Sequence, residues 1–390
     1  MKKILVLSFY YYPDLCAGSF RCTSFVNSLK ELINKDDIID IITTTPNRYE
    51  TFDVECKKYE KIDNNISIYR IDVGNHKSGF IDQSISFSKF LIGAYKLSFN
   101  KNYEIIFATS SRLMTAFLGS LIAKRNQSKL YLDMRDIFLD TMNSIFNKKN
   151  SKLKYLLPLF KIIEYKTIKS ADHINLVSKG FYEYFKEING KDIYSFYTNG
   201  IDEEFLNYNF KKEIKNNKKI ITYAGNIGEG QGLENIIPKL SKILNNYEIW
   251  IVGDGGRKKQ LIENLQKNNI KNVILKKPVT RKQLLEIYKK SDILFLHLNN
   301  YEAFKKVLPS KIFEYATTNK FIIAGVDGFA KKFIEKNVSD SLVFKPNDEK
   351  DFFNKFKKII IHNNINRIEF IEKYKRKNIM NKMAKEVYEL

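Results

Sequence analysis

No stretch of this 390-residue sequence approaches the roughly 18 to 20 consecutive apolar residues that a membrane-spanning helix needs, so any membrane contact is expected to be peripheral. Cysteine is scarce. Cys16, Cys22 and Cys56 are odd in number and lack both CxxC and metal-ligand spacing, which argues for a reducing compartment and against a disulfide framework or a bound metal. The apolar start is cut short by Pro13 and Asp14 with no small-x-small cleavage site after it, so it reads as a first strand rather than a signal peptide. Acidic residues are in deficit: 44 Asp and Glu stand against 66 Lys and Arg, a formal charge of +22. That excess favours an anionic partner, although a chain so rich in Lys, Asn and Ile also spreads lysine over its surface without one. No helix-turn-helix, RNA-binding sheet motif or zinc pattern is present, which disfavours nucleic acid, and the lack of GxxxxGK[ST] disfavours a Walker-type NTPase.

What is there reads as two domains. The length suits two cores of ordinary size, and 44% hydrophobic with 28% charged residues is normal for a folded protein. Short apolar runs at Ile4–Phe9, Ile38–Thr43, Ile105–Ala108, Leu130–Asp133 and Ile174–Val177 predict buried parallel strands alternating with helical stripes such as Phe25, Val26, Leu29, Leu32 and Ile33. A polar Lys/Asn stretch at Asn209–Lys219 interrupts the pattern. It then resumes at Ile220–Ala224, Glu248–Val252, Val273–Leu275, Ile293–Leu298, Phe321–Ala324 and Leu342–Phe344. The expected class is α/β, with two doubly wound domains at 1–207 and 208–363 followed by a C-terminal helical segment, 364–390.

In open parallel sheets, ligands bind beyond the carboxyl ends of the strands. Three such places are glycine-rich: Gly18-Ser19-Phe20-Arg21, Gly225-Asn226-Ile227-Gly228-Glu229-Gly230-Gln231-Gly232 and Gly253-Asp254-Gly255-Gly256-Arg257. Glycine lets backbone amides approach a phosphate, and a helix starting there presents its positive end. The segment Pro309-Ser310-Lys311-Ile312-Phe313-Glu314 combines a helix-start signal, a cation and a carboxylate able to accept from two vicinal ribose hydroxyls.

Over nearly its whole length the sequence resembles glycosyltransferase family 4. It is more closely similar to the bacterial O-antigen and capsule branch that includes N-acetyl-L-fucosamine transferases. The resemblance rests on Tyr12-Pro13-Asp14-Leu15 with Gly18-Ser19-Phe20-Arg21, Ile42 to Tyr49, Ala108-Thr109-Ser110-Ser111, Asp133-Met134-Arg135-Asp136, Thr198-Asn199-Gly200-Ile201-Asp202, Tyr223-Ala224-Gly225-Asn226, Gly253-Asp254-Gly255 and Pro309-Ser310-Lys311 through Glu314. It implies a GT-B fold of two Rossmann-like domains facing a cleft, with the C-terminal helical segment 364–390 returning to the first domain. It also implies a nucleotide-sugar donor, expected to be UDP-linked, bound mainly by the second domain, and transfer without metal or other cofactor, with retention at the anomeric carbon. Donor contacts implied by it fall on Gly18, Ser19, Arg21, Asn226, Gly228, Gln231, Gly253, Arg257, Arg281, Pro309, Ser310, Lys311 and Glu314, with Glu314 on the ribose. The family's first glutamate would stand at position 306, which is Lys306 here, and its usual Arg and Lys appear as Asn226 and Gln231. These departures favour an amino or deoxyamino sugar over glucose.

Catalytic roles are expected of His76, Asp133 and Lys311, with Arg135 and Asp136 also candidates for the acceptor side. The expected acceptor is a saccharide on a polyprenyl diphosphate at the cytoplasmic membrane face. Lys148, Lys149, Lys152, Lys154, Leu156, Leu157, Phe160 and Lys161 would meet an anionic membrane surface. Two other readings compete: a GT-B nucleotide-sugar epimerase, for which no convincing acid and base pair is found, and a non-enzymatic binder of nucleic acid or anionic surfaces.

Overall fold

Nearly continuous apolar strands bounded by turns have one stable arrangement, a parallel sheet covered on both faces, and the chain builds it twice. The computed structural model describes residues 1–47, 55–74, 80–110, 113–148, 152–211, 218–361 and 365–390. It forms two units, Met1–Asn199 with Arg376–Leu390, and Gly200–Lys375.

The strands of the first unit are β1 (Lys3–Ser8), β2 (Ile38–Thr44), β3 (Tyr59–Asp63), β4 (Ile66–Ile71), β5 (Ile105–Ser110), β6 (Lys129–Met134), β7 (His173–Leu176) and β8 (Tyr194–Ser195). They lie in the order β3-β4-β2-β1-β5-β6-β7-β8, parallel except for the β3–β4 hairpin. The direction of winding therefore reverses between β1 and β5. The expected strands are all present, and β3, β4 and β8 are additional. In β4 only alternate residues are fully buried, Arg70 among them, so it lacks the apolar run that marks a central strand. Arg70 donates to Glu60 at 2.7 Å and to the Tyr12 carbonyl at 3.2 Å.

The second unit contains β9 (Lys219–Ala224), β10 (Tyr247–Val252), β11 (Val273–Lys276), β12 (Ile293–His297), β13 (Phe321–Gly325) and β14 (Ser341–Phe344). These are the six expected strands, each within one or two residues at its ends. Their order is β11-β10-β9-β12-β13-β14, all parallel, with the reversal between β9 and β12. Apolar clusters cover both faces: Leu294, Phe313 and Tyr315 belong to one, Ile221, Leu233 and Ile323 to the other.

Two boundaries differ from expectation. Residues 200–207 belong with the second unit rather than the first, because Phe205 and Phe210 are buried in its core. At the other end only Arg376–Leu390 returns to the first unit. Helix Ile368–Lys373 stays behind, with Phe370 stacked 6.0 Å from Phe313, and the helical path breaks at Tyr374. Helix Arg376–Tyr388 packs against helix Ala17–Lys30 through Ile379, Met380, Met383 and Val387. Polar ties hold it: Tyr388 donates to Asp37 at 2.7 Å and Tyr131 to Glu386 at 2.6 Å.

Candidate active site

The reversal between β9 and β12 places the segments after those strands side by side, which is where an open α/β sheet binds ligands. Gly225 follows β9 with φ 152°, and a Cβ there would overlap Cε of Lys311. Lys311, the first residue of helix Lys311–Ala316, therefore lays its side chain along the Gly225 backbone. Its ammonium makes no hydrogen bond or ion pair among the described residues. Burial pulls its pKa below the usual 10.5, an effect that Glu314 opposes and Arg281 reinforces. A half-buried cation without a counter-ion at this edge is prepared for an anion from outside.

The start of that helix is less open than its sequence implies. Ser310 adopts a helical conformation and its hydroxyl makes no cap. The amides of Ile312 and Phe313 donate to the carbonyls of Pro309 and Ser310 at 3.3 and 3.1 Å. Only the Ser310 and Lys311 amides remain without such an acceptor among the described residues, and Pro309 has none to offer.

Glu314 lies one turn further on and accepts from Arg281 at 3.3 Å through one carboxylate oxygen. Arg281, expected on the donor itself, is instead committed to three carboxylates. It pairs with Asp202 at 2.5 Å and with Glu204 at 3.3 Å as well, and its guanidinium sits 4.8 Å above the Phe205 ring. Its charge is spent within the unit, and its role is to fix Glu314.

The two glycine loops of this unit differ in purpose. A Cβ on Gly253 would strike the Gly225 carbonyl, and one on Gly255 the Ile227 carbonyl. The Gly253 amide donates to Lys276 O at 3.0 Å. Gly253 is thus required by close backbone approach, and its amide is not available to a phosphate. Arg257, expected on the donor, pairs with Glu229 and lies 3.9 Å from Glu234. Asn226 donates to Gln231 at 3.0 Å, across a Gly228 too crowded for a side chain. The two residues that replace the family's basic pair are therefore joined to each other.

Loop 225–232 is held from below by residues that the sequence did not single out. Asn299 donates to Glu229 O at 2.9 Å and Tyr301 to the Glu229 carboxylate at 2.5 Å. His297, at the end of β12, donates from Nδ1 to Gln231 O at 2.6 Å and accepts from the Asn347 amide at 3.1 Å through Nε2, partners that select the neutral Nδ1–H tautomer. The only signal available was a histidine closing an apolar strand. Burial pushes its pKa from 6.5 down to about 4, against the Gln231 hydrogen bond. The unfolded chain binds the proton first, so the stability held by His297 is complete above pH 6.5 and is lost as pH falls toward 4. The gap between 6.5 and about 4, at about 1.4 kcal/mol per pH unit, is about 3 kcal/mol. Denaturant titrations at pH 7 and pH 4.5 should show this acid-dependent loss in the native protein and little of it in His297→Gln. Parallel pH profiles would refute it.

In the first unit, Asp133 at the end of β6 is not exposed for catalysis. It accepts from Arg21 Nε and Nη2 at 2.8 Å each, Thr109 at 2.7 Å and Asn175 at 2.7 Å, and is 0% exposed. Burial alone would raise its pKa, but the Arg21 charge and these hydrogen bonds hold it below 3.8. Arg21, expected on the donor, also donates to the carbonyls of Tyr197 and Thr198 at 2.8 Å and is 1% exposed. Both residues are structural. Ser19 is buried beside them on helix Ala17–Lys30. Gly18, on the same helix, is overlaid by the Arg135 guanidinium, which a Cβ would strike. His76 lies outside the described residues.

The expected membrane-facing residues are divided. Lys149 lies outside the described residues and the side chains of Lys148 and Lys152 are not described. Leu157 and Phe160 are only half-exposed, since Phe160 packs edge-on against Phe138 at 5.5 Å. The exposed apolar face is formed instead by Tyr155, Leu156, Leu159, Ile162 and Tyr165, flanked by Lys154 and the exposed Lys161, Lys166 and Lys169. Among the described residues no helix is long and apolar enough to cross a membrane.

Residues 204–378, most of the second unit, match the family model described as glycosyl transferases group 1. A stretch of 101 residues is 37% identical to WcaI of Escherichia coli (strain K12), a protein named for colanic acid biosynthesis and glycosyl transfer; it spans 26% of this chain and 25% of that one. Two solved structures share the fold along the whole chain. Anabaena HepE, in complex with UDP and glucose, is 13% identical, with 100% of each chain covered and a TM-score of 0.69. The α,α-trehalose 6-phosphate synthase of Burkholderia multivorans is 9% identical, covers 100% of this chain and 96% of its own, and gives 0.70. The fold is GT-B.

Proposed function

We propose that the chain is a retaining, metal-independent glycosyltransferase of surface-polysaccharide synthesis. It takes an N-acetylated amino or deoxyamino hexose from a UDP-sugar and transfers it to a saccharide carried on a polyprenyl diphosphate. The observation that carries this reading is the Lys311 ammonium, lying without a counter-ion on the Gly225 backbone where the second sheet reverses. HepE holds UDP on the same fold, and WcaI is named for a surface polysaccharide. The bond between the anomeric carbon and the diphosphate breaks, the acceptor oxygen takes its place, and the acceptor proton passes to the departing phosphate. Lys311 stabilises the charge that develops there, and Glu314, steadied by Arg281, accepts from the ribose hydroxyls.

The purified protein incubated with a panel of UDP- and GDP-sugars should hydrolyse one UDP-sugar slowly, with the rate unchanged by EDTA. Glu314→Ala should weaken UDP binding by about 1.5 to 3 kcal/mol, the worth of hydrogen bonds to a charged acceptor. Loss of the native activity in EDTA would refute metal independence, and unchanged UDP affinity in folded Glu314→Ala would remove Glu314 from the ribose.

A lipid-linked acceptor requires the enzyme to come to the bilayer, and the apolar face of Tyr155, Leu156, Leu159, Ile162 and Tyr165 with its flanking lysines is suited to the anionic cytoplasmic leaflet. Vesicles containing anionic lipid should sediment the protein at low salt and release it as salt rises. Replacing Leu159 and Ile162 by serine should reduce capture without affecting UDP binding. Equal capture by neutral vesicles would count against the electrostatic part, and no capture by either against the whole.

A further inference from the structure

We propose that Asn226 and Gln231 select the donor: their paired side-chain amides recognise the acetamido group of the transferred sugar. This rests on the reading above, that a nucleotide-sugar is bound at Lys311, and it assigns the residues that tell an acetamido sugar from its hydroxyl counterpart. Asn226 Nδ2 donates to Gln231 Oε1 at 3.0 Å. That bond engages one polar atom of each amide and leaves the other. Among the described residues, Asn226 Oδ1 and Gln231 Nε2 have no hydrogen-bond partner, and neither atom is buried. The pair therefore offers an acceptor and a donor with no net charge, and exchanging oxygen and nitrogen in both amides leaves the same complement.

The pair is held in place from several sides. A Cβ on Gly228 would strike Asn226 Nδ2, and one on Gly255 would lie 2.7 Å from Asn226 Oδ1, so glycines from two different loops leave the room that this amide occupies. Gln231 is held through its backbone: its amide donates to Gly228 O at 3.1 Å, and its carbonyl accepts from His297 Nδ1 at 2.6 Å. Groups fixed this way lose little freedom when a ligand arrives. Asn226 directly follows Gly225, along whose backbone Lys311 lies. With the ribose taken by Glu314, on the helix that Lys311 begins, the amides beside Gly225 are left for the sugar at the other end of the diphosphate. Their chemistry narrows the sugar. Phosphate and carboxylate oxygens accept without donating and are met by cations, whereas a neutral acceptor and donor match an acetamido group, whose N–H donates and whose carbonyl accepts. A hydroxyl has one oxygen where the acetamido group has separate donor and acceptor atoms, so it leaves part of the pair unmet once the sugar covers it.

Competition calorimetry against UDP on the full-length protein reads this preference with two matched pairs of probes. They are UDP-N-acetylglucosamine with UDP-glucose, and UDP-N-acetylgalactosamine with UDP-galactose. In at least one pair the native protein should bind the acetamido member about tenfold more tightly or better. Gln231→Met, which keeps the length of the side chain and removes both of its hydrogen-bonding atoms, should bring that ratio within about threefold of unity while UDP affinity stays within about twofold of native. Gly228→Ala, whose Cβ displaces the Asn226 amide at a position with no left-handed backbone, should lower the ratio as well. A loop merely loosened by either change would weaken UDP and all four nucleotide-sugars alike and keep the native ratio, which would overturn the assignment. A loss of UDP affinity with the ratio kept would also overturn it and give the pair to the diphosphate. If the native protein binds UDP but shows no acetamido preference in either pair, this inference fails and the transferase reading stands. If it binds neither UDP nor any of the four nucleotide-sugars, both fail.

Discussion

Sugar transfer should slow by about 10²- to 10³-fold when Lys311 is replaced by methionine, while the fold persists. The size follows from the position of the ammonium. It is already desolvated against Gly225, makes no ion pair among the described residues, and is therefore worth more to a developing phosphate charge than a solvated lysine would be. Its removal takes no partner from the resting protein, so the thermal midpoint should hold or rise. Arg257→Met makes the contrast. That guanidinium is paired with Glu229, so its loss should act mainly by loosening loop 225–232, with a smaller effect on turnover. Turnover of Lys311→Met within threefold of native, measured on folded protein with the preferred UDP-sugar, would take Lys311 out of the reaction.

A different kind of loss is expected at Asp133. Asp133→Ala should cost about 3 to 5 kcal/mol of stability, the range for breaking a buried ion pair from one side. The cost is large because Arg21 would remain charged within the unit with, among the described residues, only the Tyr197 and Thr198 carbonyls and Met383 Sδ accepting from it. Arg21→Met combined with Asp133→Leu should recover much of the loss, since no charge is then left unpaired. Denaturant unfolding of the two single variants and the double variant measures this directly. A loss below about 1 kcal/mol in Asp133→Ala would mean that water or a shifted side chain replaces the carboxylate. Any fall in transferase activity should follow the fraction of folded protein, because Asp133 has no exposed surface with which to touch a substrate.

Asp133 also shows where the sequence stops being informative. Its place at the end of an apolar strand was legible, and the structure confirms that place. Its partner was not, because Arg21 is 112 residues away and only the pairing of β1 with β5 and of β5 with β6 brings their neighbourhoods together. The same applies to Arg257 and Arg281, which read as donor contacts and are neutralised by Glu229, Asp202 and Glu204. Central strands were readable because burial on both faces leaves an unbroken apolar run. The β3–β4 hairpin was not, because β3 is a polar strand at the sheet edge and β4 is fully buried only at alternate residues. The glycines after β9 and β10 were recognised as a pattern, but only the structure separates Gly225, which makes room for Lys311, from Gly253 and Gly255, which make room for backbone.

The return of helix Arg376–Tyr388 to the first unit also sets an order of events during synthesis. The second unit is contiguous in the chain and has all its residues by Lys375. The first unit begins at residue 1, yet Met383, which lies against Arg21, and Glu386, which receives Tyr131, are made after the whole second unit. The half of the molecule that leaves the ribosome first is therefore the last to be closed. Until residues 376–388 emerge, the face of helix Ala17–Lys30 that they cover stays bare, and a nascent chain must keep it from other partners while the second unit folds behind it.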